Sequence, residues 1–218
     1  FLATSFEAAR KLYDAQRSFL EKRLAEEGLK LLYSAPYLPQ GLCSDRRISS
    51  ADDLRGLKIR SYNHVTKKLA LLTGAVPVSV DTADIPAAIA SHRIDAFTAS
   101  AGQVASRKAW TFAPYFHDLA IWIPRNAVVA NKAQFDALPA EVRKAIVEAA
   151  KFAEDRAWEA AAKDQSERRT YLAASGAIVV TPDPTTESFA GVARQIADEW
   201  VKAAGPDGEA ILQAYRGK

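Results

Sequence analysis

The stretch SSADDLRGLKIRSYNHVTKKLALLTGAVPVSVDTADIPAAIASHRIDAFTAS, residues 49–100, decides the fold class. Ser49-Ser50-Ala51-Asp52-Asp53-Leu54 sets cap residues ahead of an acidic residue three positions on, and Gly56 follows as a terminator, which predicts a helix of one or two turns. Residues 58–62 read as a strand. Asn63 caps a helix that runs to Thr73 and stops at Gly74, and residues 76–80 alternate as a second strand. Asp81 or Asp84 caps residues 85–91, and residues 94–98 form a third strand. Strands separated by helices in this order form a βαβαβ unit. Its strands are expected to be parallel and joined by right-handed crossovers, because a parallel connection needs a crossover long enough to hold a helix. The fold class is therefore α/β.

Upstream, Phe6, Ala9, Leu12, Tyr13, Phe19 and Leu20 recur at helical spacing among charged residues, so 1–27 is expected to be helix with Gly28 as its stop. A short apolar strand follows over 29–35. Pro36, Pro39 and Gly41 interrupt PYLPQGL, residues 36–42, so neither a helix nor a central strand is expected there, only an extended crossing segment. Beyond Trp110 aromatic residues gather (Phe112, Tyr115, Phe116, Trp122), and strands are expected over 119–124 and 127–130. Residues 139–175 contain no internal proline or glycine, open on Pro139 and close on Gly176, with favourable Glu159–Lys163 and Asp164–Arg168 pairs. A continuous helix of that span is about 55 Å long. A compact domain of about 100 residues has a radius of gyration of only about 13 Å, so the helix is expected to run across two lobes or to kink between them. Residues 177–181 read as a strand, Pro182 and Pro184 as a turn, and 188–203 as an amphipathic helix carrying Trp200.

The chain has 218 residues, no methionine and one cysteine, and is expected to be a processed or truncated piece. Hydrophobic residues at 49% and charged residues at 25% sit at the globular average, which excludes a disordered or fibrous protein. A net charge of +3 demands no nucleic-acid partner. No apolar run approaches the roughly 18 residues of a membrane span, so the chain is not itself membrane-spanning. Cys43 alone can form neither an internal disulfide nor a zinc site and reads as a small apolar residue. G-x-S-x-G, G-x-G-x-x-G, P-loop and H-E-x-x-H patterns are all absent, so no catalytic residue, cofactor or metal is expected. His64, His92 and His117 lie far apart in sequence, beside no carboxylate-rich motif, and read as surface or capping residues.

Polar groups gather where the parallel strands end. Arg60 lies near the carboxyl end of the first βαβαβ strand, and Thr98, Ala99 and Ser100 at the end of the third. Ligands of open α/β sheets bind outside those ends. Ser100-Ala101-Gly102 can begin a helix and turn unpaired N–H groups toward an anion. One arginine, small hydroxyls and a helix start describe a carboxylate pocket, although by position alone an arginine in GLKIR is more often a surface residue or a structural ion pair.

DDLRGLKIR, then TGAVPVSV, then HRIDAFTASAGQ, in this order and spacing, resemble the extracytoplasmic solute-binding subunits of TRAP transporters, the dicarboxylate-binding type. Asn131-Lys132 through Phe135-Asp136-Ala137-Leu138-Pro139 is similar to the family's lead into its long helix. The resemblance covers nearly the whole chain. It implies a two-lobed, hinged α/β receptor of the periplasmic-binding-protein kind, with a long lobe-bridging helix, that captures an organic anion in the periplasm and delivers it to TRAP membrane subunits. On that pattern residues 1–37 are part of lobe 1, 38–125 lobe 2, 126–165 the return to lobe 1 and the bridging helix, and 166–218 lobe 2 with the C-terminal helices. The opening βα units of the first lobe, and a leader peptide, are then expected upstream.

In the family an arginine matching Arg60 clamps the ligand carboxylate, a task suited to the two parallel bonds of a guanidinium. Where many members carry a second arginine, this chain offers Gln40. PYLPQGL and IWIPRNA resemble a branch associated with monocarboxylates, including aromatic and 2-oxo or 2-hydroxy acids. The expected ligand contacts are Arg60, Gln40, Thr98 and Ser100, with Tyr37, Phe97 and Trp122 lining an apolar end. Tyr62 is expected to cover the hinge side, and no second cation is found for a dianion. An enzyme acting on carboxylic acids with its catalytic groups elsewhere, or a ligand-sensing receptor domain, are the alternatives the residues leave open.

Overall fold

The computed structural model describes residues 2–181 and 187–217. The chain begins with α1 (Phe6–Glu26), β1 (Leu29–Pro36) and β2 (Gln40–Ser44). The βαβαβ unit follows as β3 (Lys58–Ser61), α2 (His64–Leu72), β4 (Val76–Ser79), α3 (Ile85–Ala90) and β5 (Ala96–Ser100), leading into α4 (Ala101–Arg107). Then come β6 (Tyr115–Trp122), β7 (Arg125–Asn131), α5 (Lys132–Asp136), α6 (Ala140–Ala174), β8 (Ile178–Val180), α7 (Glu187–Ala204) and α8 (Pro206–Arg216). The expected Pro182–Pro184 turn lies outside the described residues.

The chain divides into two compact units. The first comprises Phe1–Thr4, Leu38–Trp122 and Asp164–Asp198, the second Ser5–Tyr37, Ile123–Lys163 and Glu199–Lys218. The end of the chain departs from the expected division, since 199–218 groups with the second unit, where α8 packs on α1.

The first unit is built on a six-stranded sheet of order β4-β3-β5-β2-β6-β8. β3 runs parallel to β4 and β5, as the helix-strand alternation of 58–100 predicts. Local chemistry explains each step. Asn63 Oδ1 accepts from Thr66 N at 2.8 Å to start α2, and Gly74 ends it in the left-handed region (φ 70°), which a side chain resists. The expected short helix after Ser49 is a 3₁₀ turn, Ala51–Leu54, with Asp53 accepting from the backbone of Ser49 and Ser50.

The central-strand exclusion at residues 36–42 is corrected. Gln40–Ser44 is a fully buried strand in the middle of the sheet, antiparallel to both β5 and β6. Pro39 falls just before it, where no ladder bond is needed. Gly41 sits opposite a bulge in the β2–β6 pairing, where the backbones close: a Cβ there would lie 2.3 Å from the His117 carbonyl oxygen. Two apolar cores sandwich the sheet. Cys43, Phe97, Ala99 and Phe116 belong to one and Leu42, Ile59, Ala96 and Leu119 to the other, the period-two alternation of a strand buried on both faces.

His117 is not a surface residue. It is fully buried; its Nε2 accepts from Ile48 N at 2.8 Å and its Nδ1 faces Leu42 O at 3.1 Å. Burial pushes its pKa below 6.5, the Leu42 bond and Asp53 opposing and Arg47 assisting. The unfolded chain therefore binds the proton more readily, so the stabilisation is complete above about pH 6.5 and is lost as pH falls below it. We expect the urea midpoint to drop between pH 7 and 5, and the drop to flatten in His117→Gln, whose amide can still accept and donate. Asp118, its carboxyl pushed up by burial against the opposing Arg169 charge, acts with the opposite sign from pH 3.8 upward. The difference between variant and wild type isolates the histidine.

In the second unit β1 pairs antiparallel with β7, and α1 and α8 pack together. Ser34, buried in β1, has its N–H accepted by Glu154 Oε1 at 3.4 Å, and its carbonyl accepts from Trp158 Nε1 at 3.2 Å. Glu154 is 1% exposed and also meets Arg17 Nη1 at 3.1 Å, so α6 is pinned to β1 and α1 by charge as well as by packing. The expected long helix forms without a break over Ala140–Ala174, belonging to the second unit through Lys163 and to the first from Asp164.

Candidate ligand-binding site

A cavity of about 760 Å³, walled wholly by residues of the first unit, opens where β3, β4 and β5 end. Its wall includes Arg60, Thr98 and Gln40, three of the expected contacts, with Phe97 beneath them. Because Ile59 packs in one core, the strand period turns Arg60 to the other face of the sheet.

Arg60 is 8% exposed. Its Nε donates to Val80 O at 2.8 Å and its Nη2 to Thr82 Oγ1 at 2.9 Å, both just past β4. The Tyr62 ring lies 4.8 Å from the guanidinium carbon, a cation–π contact. The side chain is thus fixed by neutral groups on three sides, and Nη1 bonds to none of the described residues. Burial lowers its pKa, with Tyr62 opposing, yet a guanidinium stays charged at any working pH.

Thr98 lies one strand away on β5, 8% exposed, and its Oγ1 is buried with no hydrogen-bond partner. Leaving such a hydroxyl unpaired costs about 1–3 kcal/mol. Gln40 donates from Nε2 to Leu38 O at 3.2 Å, which orients its amide. Phe97, in contact with Phe112 at a ring separation of 6.1 Å, supplies the apolar floor.

The other expected contacts lie elsewhere. Ser100 is not in the cavity wall: its Oγ accepts from Gln103 N at 3.3 Å while Gln103 Oε1 accepts from Ser100 N at 2.9 Å. This reciprocal cap engages the Ser100 hydroxyl and the N–H groups of Ser100 and Gln103 from within the chain. Trp122 pairs with Gln40 but packs against the second core instead of the cavity. Tyr37 belongs to the second unit, is 56% exposed, and its hydroxyl accepts from Asn126 Nδ2 at 3.0 Å.

Four polar wall residues lie outside the expected site: Tyr62, expected on the hinge side, and Thr82, Gln103 and Arg107; Phe112 joins them among the apolar ones. Thr82 was within reach, since it follows the end of β4 as Arg60 ends β3. Arg107 closes a helix too short to show a periodic signature, and only the fold returns it to the strand ends. Arg107 also corrects the expectation that the chain offers no second cation. Elsewhere, Asp45, His92 and Asp95, distant in sequence, bring ligand-type atoms within 4.8 Å of one another. Arg46 engages both oxygens of Asp45, and Asp95 Oδ2 accepts from Lys58 N.

Fold and cavity together define an α/β protein with a cationic pocket at the carboxyl ends of parallel strands. Residues 1–203 match the family described as bacterial extracellular solute-binding protein, family 7, and the chain belongs to that family. It is similar to two Bordetella pertussis extracytoplasmic solute receptors binding pyroglutamic acid. To DctP7 it is 36% identical, with a TM-score of 0.88 over 99% of this chain and 72% of that one. To DctP6 it is 39% identical, with a TM-score of 0.88 over 100% of this chain and 73% of that one. The 2,3-diketo-L-gulonate-binding periplasmic protein YiaO of Escherichia coli K12 is 28% identical over 77% of this chain. The chain spans about half, 51%, of that curated relative's length.

Proposed function

We propose that this chain is the ligand-binding part of an extracytoplasmic receptor that captures a small organic carboxylate and passes it to the membrane subunits of a TRAP-type transporter. The observation that carries the reading is the buried Arg60, held by Val80 and Thr82 with Nη1 left over, in the wall of a cavity that carries no carboxylate among the described residues. Arg60 takes the carboxylate; Thr98 and Gln40 add hydrogen bonds; Phe97 and Phe112 bury the carbon skeleton. Family membership and the pyroglutamate-binding relatives support the same reading, and make pyroglutamate the first ligand to test.

Titration with pyroglutamate is expected to raise the melting temperature with no loss of the acid by NMR. Absence of binding across a panel of small carboxylates, or conversion of the acid, overturns the proposal. Thr98→Val gives a sharper check, because it removes the orphaned hydroxyl at constant shape. The ligand-free protein should be as stable as wild type or more so, while affinity falls about tenfold, the worth of one hydrogen bond to a charged group. Unchanged affinity removes Thr98 from the site.

A further inference from the structure

Tyr62 does little for the stability of the fold. It stays 49% exposed and belongs to neither apolar core. Its place is set through the backbone: its N–H donates to Thr66 Oγ1 at 3.1 Å, within the cap that starts α2. Its hydroxyl bonds to none of the described residues. Among those residues the ring has one charged or aromatic neighbour, the Arg60 guanidinium, whose carbon lies 4.8 Å from the ring centroid. The strand period accounts for that contact, since residues 60 and 62 turn to the same side as β3 ends at Ser61.

Arg60 is only 8% exposed although it lines a cavity. Val80 O and Thr82 Oγ1 hold two of its nitrogens by bonds in the guanidinium plane. Those bonds leave the faces of the plane bare, and the half-exposed Tyr62 ring covers one of them. A guanidinium face has no N–H to offer, so an aromatic cover takes no donor away from the ligand. It does keep water off the cation, and a charge-assisted bond from Nη1 to a carboxylate is stronger where the local dielectric is low. We propose that Tyr62 is a positioning residue of the carboxylate site, which acts through Arg60 by covering its guanidinium face and so slows release of the bound acid. The inference rests on the carboxylate reading above and adds to it a residue that works without touching the ligand.

Calorimetry and stopped-flow kinetics of the full chain with pyroglutamate test it. Tyr62→Leu, which keeps an apolar side chain but loses the ring face, is expected to lower affinity about tenfold, mostly through faster dissociation, with the ligand-free melting temperature kept. Tyr62→Phe, the conservative variant, should recover affinity to within about threefold of wild type. In an Arg60→Lys background, read by NMR titration, Tyr62→Leu should cost about twofold or less, because an ammonium on a flexible stem does not lie flat against a ring. Wild-type affinity in Tyr62→Leu overturns the inference, and so does a loss of affinity accompanied by a lower melting temperature, the result of a merely structural role. A tenfold loss in both backgrounds, or a Phe variant as weak as the Leu one, also overturns it, since Tyr62 then contacts the ligand directly. Arg60→Lys alone separates the two readings: if it binds as tightly as wild type, or if wild type binds no carboxylate of the panel, the carboxylate reading fails and the inference with it.

Discussion

Replacing Arg60 by lysine is expected to lower affinity for pyroglutamate about 100-fold, roughly 2.7 kcal/mol, while the protein still folds. The charge survives the substitution, so the loss is one of geometry. Arginine holds Val80 O through Nε and Thr82 Oγ1 through Nη2 and still has donors left for the ligand. A lysine ammonium is one point with three donors on a flexible stem, and it cannot satisfy Val80 and Thr82 and also present two parallel bonds to a carboxylate. The planar contact with the Tyr62 ring is weakened as well. Isothermal titration gives the affinity, and circular dichroism with thermal melting checks the fold. An affinity within threefold of wild type would show that Arg60 serves the β3–β4 connection and not the ligand.

Gly41→Ala is expected to destabilise the first unit by about 3 kcal/mol, at the upper end of overpacking costs. The added methyl would stand 2.3 Å from His117 O, 2.9 Å from Phe116 Cε2 and 3.1 Å from Phe116 Cζ. Two of these three atoms belong to a core ring and the third to backbone, so no flexible side chain can swing away. β2 is paired on both edges, and relief requires pulling β6 off it or tilting Phe116 out of the core. Gln40 is the adjacent residue, so binding should weaken along with stability. Urea denaturation measures the effect; a midpoint equal to wild type would mean that the β2–β6 bulge can widen at little cost.

Which parts of this were legible in the sequence follows from the range of the forces involved. The parallel strands β3, β4 and β5, the helices between them and the unbroken α6 all rest on interactions within one or two turns of chain. Caps such as Asn63, stops such as Gly74 and i,i+4 pairs such as Asp164 with Arg168 are visible in any window of ten residues. Arg60 was expected because it lies near the carboxyl end of a parallel strand, where ligands bind, and because the family resemblance assigns the matching arginine to the carboxylate. β2 was misread because Pro39 and Gly41 are local breakers. Their meaning depends on β6 closing against Gly41 from seventy-odd residues away, and no neighbour in sequence reports that approach.

His117 looked like a surface residue for the same reason, since its acceptor role is set by Ile48 N across the fold. Ser100 illustrates the reverse case: a hydroxyl at a strand end reads as a ligand contact, but Gln103, three residues on, claims it as a cap.

The sequence by itself therefore determined the α/β class, the parallel βαβαβ unit, the long helix and the family resemblance, and singled out Arg60 as the candidate cation. Only the tertiary structure decided that Thr98 Oγ1 is buried without a partner, that Thr82 and Tyr62 hold Arg60 in place, and that Arg107 lines the same cavity. Secondary structure is written in short-range hydrogen bonds and hydrophobic period, whereas the charge balance of a pocket is a sum over residues that meet only after the crossovers have closed.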